Sequence, residues 1–204
     1  MKKRRQTVYL EWGRRVLAAE AEAVRAAGEG LGSGFEESAH AVAGCRGRVV
    51  VAGLGKSGHV GRKIAATLNS LGIPAVFLHA AEALHGDAGV VARGDVLVAV
   101  SHSGGSRELA ALIEVVRGEC AAVIAITANP ASALGRAADH VIDTRVKREA
   151  DHLDLAPTAS STAALAVGDA LAVAAARARG FSARDFARLH PGGALGKKAS
   201  RRKD

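Results

Sequence analysis

The sequence predicts an α/β fold, a doubly wound five-stranded parallel sheet in a three-layer sandwich, with N-terminal helices in front of it. Five short apolar runs begin near residue 48 and alternate with stretches of helical spacing. These runs are continuously apolar, as expected where helices cover both faces of a parallel sheet. The length of 204 residues and a hydrophobic content of 49% indicate one folded domain.

The elements follow from the pattern of apolar residues. Residues 9–27 are rich in Ala, Glu, Leu and Arg at helical spacing, and a second helix is predicted over 34–43. A long Ala-rich helix is predicted from Pro157 to about Arg179, and a short helix and a turn follow within 181–196. The five strands are predicted over residues 49–52, 75–78, 96–100, 122–126 and 140–143.

Charge and composition narrow the class of partner. The net charge of +8 suggests an anionic ligand, but many of the basic residues lie in terminal tails that we expect to be frayed. Aromatic residues make up only 3%, so nucleic acid is not expected as a partner. The tail residues are Lys2, Lys3, Arg4, Arg5, Lys197, Lys198, Arg201, Arg202 and Lys203.

The location is predicted to be cytoplasmic. Cys45 and Cys120 show no metal-binding spacing, and no secretory signal is visible, so both are predicted to be reduced, small core residues. No stretch has the roughly 18 uninterrupted apolar residues of a membrane helix, so no membrane partner is expected.

A glycine-rich loop follows the first predicted strand. Residues 53–61 read GLGKSGHVG, and glycines before a helix let backbone amides approach an anion. The spacing departs from a P-loop. A dinucleotide pattern can be drawn through Gly53, Gly55 and Gly58, but the second strand does not end on the acidic residue that such a site needs.

A serine-rich loop follows the third predicted strand. Residues 101–108 read SHSGGSRE, and their hydroxyls and amides precede a helix, which is an arrangement that can hold a phosphate group. An ordinary turn with a helix cap at Ser106 is the alternative. Loops that follow neighbouring parallel strands border the same cleft at the carboxyl edge of the sheet, so the two loops together favour a phosphate site.

Several motifs together resemble a known family. The 53–61 loop, the Ser101-x-Ser103-Gly104 loop and the APT start of the long helix resemble a sugar isomerase (SIS) domain, which implies a flavodoxin-like sandwich. More narrowly, the chain resembles the arabinose-5-phosphate isomerases. The motifs that carry this are HGD at 85–87, VKREA at 146–150, APT at 156–158, GDALA at 168–172 and HPGGALG at 190–196.

The resemblance implies an aldose-ketose isomerase. It would interconvert D-arabinose 5-phosphate and D-ribulose 5-phosphate for the acidic sugar Kdo of lipopolysaccharide, as a homotetramer without a cofactor. By position, the implied catalytic residues are Lys56, Glu108, Glu149 and His190. No metal is required, although the family's inhibition by zinc makes His85 and His190 candidate zinc contacts.

Isomerisation by proton transfer needs a base near C1 and C2, an acid for the carbonyl oxygen and a fixed phosphate. Glu149 is the preferred carbon base, with the raised pKa that a carboxylate can acquire in a closing site. His190 can open the ring or carry a proton, Glu108 can assist, and Lys56 can stabilise the enediolate. The predicted substrate-binding residues are Gly55, Ser57, His85, Ser101, Ser103, Ser106, Thr158 and Ser160.

Two departures from the family's pattern qualify this assignment. His102 and Gly105 stand where the family commonly has asparagine and glutamate, and His59 and His102 have no assigned role. The chain also ends shortly after HPGGALG, so we expect one SIS domain over 1–204, with helices to about 47, a core over 48–197, a basic tail over 198–204 and no CBS domains. An isomerase of another phosphosugar, such as a heptose or hexulose phosphate, and a non-catalytic sugar-phosphate sensor remain alternatives.

Overall fold

The fold is the predicted three-layer α/β sandwich. The structure, a computed structural model, describes residues 2–200, with side chains described from residue 8 onward. Its five strands are all parallel, in the order β2-β1-β3-β4-β5. They are β1 (Val49–Gly53), β2 (Ala75–His79), β3 (Asp95–Val100), β4 (Cys120–Thr127) and β5 (His140–Asp143).

Helices cover both faces of the sheet, because successive residues of each strand point to opposite sides. The helices of one layer are α1 (Lys2–Glu29), α2 (Ser33–Gly44), α3 (Gly55–Ser70) and α7 (Ala159–Ala178). The other layer contains α4 (Ala80–Ala83), α5 (Arg107–Val116) and α6 (Ala133–Ala137), with a 3₁₀ turn at Asp87–Val90. The chain continues with α8 (Ala183–Leu189) and α9 (Ala194–Ala199).

The core confirms why the strands are continuously apolar. Every residue of β1 and β3 is buried, and Val49 and Val51 pack against the α3 and α7 side while Val50 and Ala52 pack against α5. Both cysteines are free, as predicted, and burial raises the pKa of the Cys120 thiol to about 11. Burial also raises the pKa of the Cys45 thiol, so neither cysteine is a ready thiolate at neutral pH.

The basic tails differ from expectation. Residues 2–5 belong to α1, and Lys197 and Lys198 belong to α9, so these stretches continue helices instead of fraying. The helices extend over them because lysine and arginine have good helix propensity and no proline interrupts either stretch. The remaining basic residues of the predicted tail, Arg201, Arg202 and Lys203, lie outside the described residues.

Helix α7 is the central helix of its layer. By length and composition alone it could cross a membrane, with a mean hydropathy of 1.4 over 18 residues. More than half of that window, 56%, is buried inside the protein, where it packs against α1, α2 and α3. Its apolar composition is thus explained by its place in the core.

A buried carboxylate ties the sheet together at the amino end of its strands. Asp95, 1% exposed, accepts hydrogen bonds from the Arg48 amide at 2.7 Å and the Ala92 amide at 2.9 Å. An asparagine there presents an N–H group to one of these donors, so we expect Asp95→Asn to lower the free energy of unfolding by about 2 kcal/mol. Urea denaturation measures the change, with exposed Asp87→Asn as the control. Equal stability of the two variants would contradict this account.

Candidate active site

A pocket opens at the carboxyl ends of the strands, on the α3 and α7 side of the sheet. Its volume is about 220 Å³. The order of the strands reverses between β1 and β3, and ligands of doubly wound sheets bind beyond the strand ends at such a point. The lining residues are Leu54, Lys56, Ser57, Val60, Val100, His102, Ile126, Thr144, Pro157, Ser160, Ser161 and Ala164.

The chemistry of the lining suits an anionic, hydroxylated ligand. Lys56 and His102 are the two ionisable side chains among the lining residues, and no carboxylate stands beside them in that lining. Ser57 lies in the first turn of α3, and Ser160 in the first turn of α7. Two helix N-termini therefore reach the pocket, and each favours negative charge.

The predicted residues Lys56, Ser57 and Ser160 are thus brought together. Lys56 is exposed to solvent at the start of α3, and Gly55 just before it adopts a φ of +50°, which glycine tolerates without strain. This tight turn puts Lys56 directly beyond the end of β1. Ser160 is 2% exposed, at the pocket wall.

The serine loop after β3 uses most of its hydroxyls internally. The Ser101 hydroxyl accepts the Gly104 amide at 3.2 Å and lies 3.3 Å from the Ser106 hydroxyl, and the Ser103 hydroxyl accepts the Gly105 amide. Ser106 precedes α5 but makes no side-chain cap bond. None of these three serines lines the pocket, so their role as phosphate ligands stays a prediction.

This loop is held in place because Gly104 is packed tightly against its neighbour. Gly104 has a φ of +65°, and a Cβ built on it would lie 1.9 Å from the Ser132 hydroxyl oxygen. Any side chain would push the loop away from Ser132 at the start of α6. The glycine is therefore required by both conformation and space.

Glu149 lies behind the part of the pocket wall that Ser160 forms and is hydrogen-bonded to it. Its carboxylate accepts the Thr158 amide at 2.8 Å, the Thr158 hydroxyl at 3.2 Å and the Ser160 amide at 3.1 Å. The Thr158 hydroxyl also accepts the Ala150 amide at 2.8 Å, so it holds the Glu149 loop against α7 and does not cap its own helix. Glu149 serves as the anion at the α7 N-terminus.

The expectation of a raised Glu149 pKa is wrong for this conformation. Burial raises the pKa of Glu149, but hydrogen bonds with the Ser160 side chain and with the amides and hydroxyl of Thr158 and Ser160 outweigh it. The net pKa lies below its ordinary value of 4.5, because these donors stabilise the charged form. Glu149 is accordingly ionised at neutral pH.

Removing the Thr158 hydroxyl should change this pKa in a known direction. The variant Thr158→Val loses one donor to Glu149, so the pKa of Glu149 rises toward its ordinary value. If ionised Glu149 is required for turnover, the acid limb of the kcat/KM profile moves to higher pH. Steady-state rates from about pH 4 to 8 measure the shift. The control is Thr67→Val, which removes a hydroxyl of α3 that donates to Asp169 outside the pocket lining. An acid limb of Thr158→Val at the same pH as that of Thr67→Val would contradict the role of Thr158.

His190 lies far from the pocket of its own chain. Its Nδ1 faces the Phe186 carbonyl oxygen at 2.8 Å, so Nδ1 carries the proton, and its Nε2 accepts the Ser70 hydroxyl at 2.9 Å. Lys56 is the second residue of α3 and Ser70 is the last, so these two residues are about 21 Å apart along the helix axis. The structure does not bring His190 to the pocket of its own chain.

The HPGGALG motif forms a tightly packed turn between α8 and α9. The His190 ring stacks on Phe186, with centroids 3.8 Å apart and planes at 12°. A Cβ on Gly196 would lie 2.0 Å from the His190 carbonyl oxygen, so only glycine lets α9 approach this turn. The motif builds a compact corner that fixes the imidazole.

Four further predicted residues do not line the pocket, namely Gly55, Thr158, Glu108 and His85. Glu108 is half-buried in the first turn of α5, on the opposite face of the sheet from α3. His85 is exposed in the turn after α4. Across residues 2–200, no three His, Cys, Asp or Glu side chains cluster closely enough to hold a metal ion.

Sequence reasoning assigned no role to His102, Thr144 or Pro157, which all line the pocket. His102 is the first exposed residue beyond the carboxyl end of β3, and Thr144 directly follows β5. The rule that ligands bind beyond strand ends was the signal that could have identified both.

Comparison with known proteins assigns the class. The SIS domain family matches residues 43–174, so the chain belongs to the SIS domain proteins. Within that family it is 49% identical over 187 residues to arabinose 5-phosphate isomerase GutQ of Salmonella typhi, covering 92% of this chain and 58% of GutQ. It is 50% identical over 186 residues to arabinose 5-phosphate isomerase KdsD of Escherichia coli K12, covering 91% and 57%.

A solved structure agrees with the fold. The protein c3406 of E. coli CFT073, in complex with arabinose 5-phosphate, superimposes with a TM-score of 0.86 at 37% identity, covering 91% of this chain and 98% of that one. In contrast, the chain spans under three fifths of the length of GutQ and KdsD.

Proposed function

We propose that this chain is an aldose-ketose isomerase that interconverts D-arabinose 5-phosphate and D-ribulose 5-phosphate. The observation that carries the proposal is the pocket beyond β1 and β3, where the strand order reverses. Lys56, Ser57 and Ser160 line it, and Glu149 lies behind its wall, hydrogen-bonded to the Thr158 and Ser160 amides. Support comes from the isomerases that are about half identical to the chain and from the related structure that holds arabinose 5-phosphate. The predicted single SIS domain without a cofactor remains part of this proposal.

The chemistry is a balanced transfer of protons. The Glu149 carboxylate takes the proton from C2 of the open-chain aldose, and the C–H electrons form the C1–C2 double bond while the carbonyl oxygen gains a proton. The C2 hydroxyl then loses its proton, and C1 receives one, which leaves a ketone at C2. Lys56 stabilises the negative oxygen of the enediolate between these steps.

Glu149 has to turn from its present partners for this step. Its carboxylate now faces the start of α7, behind the pocket wall at Ser160. Rotation about the Glu149 side-chain bonds brings the carboxylate past Ser160 to the ligand. Its ionised state already suits a base, and leaving the amide donors raises its basicity at the moment of reaction.

The assay that tests the proposal follows product formation from several phosphosugars. Purified protein treated with a chelator is incubated separately with arabinose 5-phosphate, ribose 5-phosphate, sedoheptulose 7-phosphate and 6-phospho-3-hexulose, and the isomerised product of each is measured. We expect turnover of arabinose 5-phosphate alone at a rate well above buffer. Turnover of a heptose or hexulose phosphate in its place would assign the second enzyme alternative, and tight binding without any turnover would assign a sensor.

We further propose that the active form is a cytoplasmic homotetramer that serves Kdo formation. Ser70, which holds His190, lies about 21 Å along α3 from Lys56, so His190 has to act in the pocket of another copy. Exposed apolar side chains support self-association, since large ones on a surface often mark interfaces. Tyr9 and Trp12 of α1 are 66% and 55% exposed.

Mixing inactive variants tests whether two copies share a site. Lys56→Met and His190→Asn should each be inactive alone. Co-expressed in equal amounts, they should regain about a quarter of the activity, because each of two copies contributes a wild-type residue half the time. Activity of the mixed sample that stays at the level of the separate variants would contradict the shared site.

A further inference from the structure

We infer that His102 binds the phosphoryl group of the substrate, a role that rests on the proposed function and extends it to a residue with no assigned part. His102 follows Ser101 beyond the end of β3, and it lines the pocket together with Lys56. These are the two residues of the lining whose side chains can carry positive charge. Because Lys56 acts at the enediolate oxygen near C1 and C2, His102 is the one of the two that is left for the phosphoryl group on C5, to which an imidazole N–H can donate.

The backbone at His102 is fixed where it borders the pocket. The His102 carbonyl oxygen accepts the Ala128 amide at 2.9 Å and the Thr127 hydroxyl at 3.2 Å. Thr127 is fully buried at the end of β4. Two bonds from a buried strand end therefore hold His102 at the pocket, and the tightly packed Gly104 follows two residues later.

The imidazole itself has no structural partner. Among the described residues it makes no hydrogen bond, ion pair or ring contact, although its backbone is anchored at two points. By contrast, His190 is held by both ring nitrogens. A histidine whose backbone is tied down and whose ring nitrogens are both unused can donate to a ligand without breaking any interaction of the fold.

The surroundings favour the phosphoryl group over the sugar carbons. His102 belongs to the serine loop, and Lys56 and Ser57 face the same pocket from the N-terminus of α3. Amides of a helix start, a serine hydroxyl and an imidazole N–H are donors that suit a phosphate monoester. Because the phosphoryl group does not change during isomerisation, the contact is equally strong in ground state and transition state.

The kinetics of two histidine variants distinguish phosphoryl binding by His102 from a general effect of removing a histidine near the pocket. Losing one charge-assisted hydrogen bond that is uniform along the reaction should raise the KM for arabinose 5-phosphate about tenfold in His102→Ala and leave kcat within about twofold. The matched control is His59→Ala, an exposed histidine of α3 outside the pocket lining, and it should match the wild type. A KM that His102→Ala leaves unchanged would overturn the inference.

Titrations monitored by NMR test the contact without turnover. The imidazole cross-peak that vanishes in His102→Ala identifies His102 in the full chain, and inorganic phosphate, arabinose 5-phosphate and unphosphorylated arabinose are added in turn. We expect the chemical shift of this peak to change when inorganic phosphate or arabinose 5-phosphate is added and to remain unchanged when arabinose is added. A peak that neither of them moves overturns the contact.

The same titration distinguishes failure of the His102 contact from failure of the proposed isomerase activity. If the wild type fails to isomerise arabinose 5-phosphate but the His102 peak moves with phosphate, the proposed isomerase fails and the phosphate contact stands. If the wild type turns over arabinose 5-phosphate and the peak stays still, the isomerase stands and the His102 contact fails.

Discussion

Glu149→Gln should lower the rate of isomerisation by about 10³-fold, because positioned general bases contribute roughly 10² to 10⁴. Glutamine keeps a carbonyl oxygen that can accept the Thr158 and Ser160 amides, so the start of α7 should stay in place. Glutamine cannot take a proton from carbon. The loss should therefore appear in kcat, and exchange of the C2 proton with solvent should stop with it.

Two controls make this result specific. Glu114→Gln removes an exposed carboxylate of α5 on the far face of the sheet and should leave both rates unchanged. The circular dichroism spectrum and melting temperature of Glu149→Gln should remain close to those of the wild type. Continued exchange of the C2 proton by a folded Glu149→Gln protein would remove Glu149 from the role of base.

Lys56→Met should lower kcat by about 10² to 10³, the range found when one donor to a developing oxyanion is removed. Methionine keeps the apolar stem of the side chain and nearly its length, so the pocket should keep its shape. The ammonium group is lost where negative charge develops on the enediolate. Stopped assays at saturating arabinose 5-phosphate measure kcat directly.

Lys197→Met provides the control, because it removes an exposed lysine of α9 outside the pocket lining. Its kcat should match that of the wild type. If Lys56→Met also kept kcat and raised only KM, Lys56 would act in binding alone and the stabilisation of the enediolate would need another group.

The sequence predicts the fold well because its strands are buried on both faces. Val49 to Ala52 and Val96 to Val100 form apolar runs too short for helices, and their burial on both sides leaves no competing pattern. Boundaries were less accurate. Asp95 begins β3 although it is charged, because two amides satisfy its carboxylate, and such tertiary contacts leave no trace in local sequence.

The site was predictable only in part. Lys56 and Ser57 could be placed because a strand end followed by glycine and a helix fixes them locally. Glu149 and His190 depend on contacts between different segments: Glu149 is bound by the start of α7, and His190 is held by Ser70. No spacing within a segment reveals either arrangement, and the resemblance identifies the residues without giving their surroundings.

The proposed isomerase moves a proton between C2 and C1 of arabinose 5-phosphate. The most direct measurement is proton NMR of arabinose 5-phosphate incubated with the chelator-treated wild-type protein in deuterated water. We predict that ribulose 5-phosphate signals appear and that the C2 proton signal of the remaining arabinose 5-phosphate declines as deuterium replaces it. A substrate that keeps its full C2 proton signal, with no ribulose 5-phosphate formed, would contradict the account.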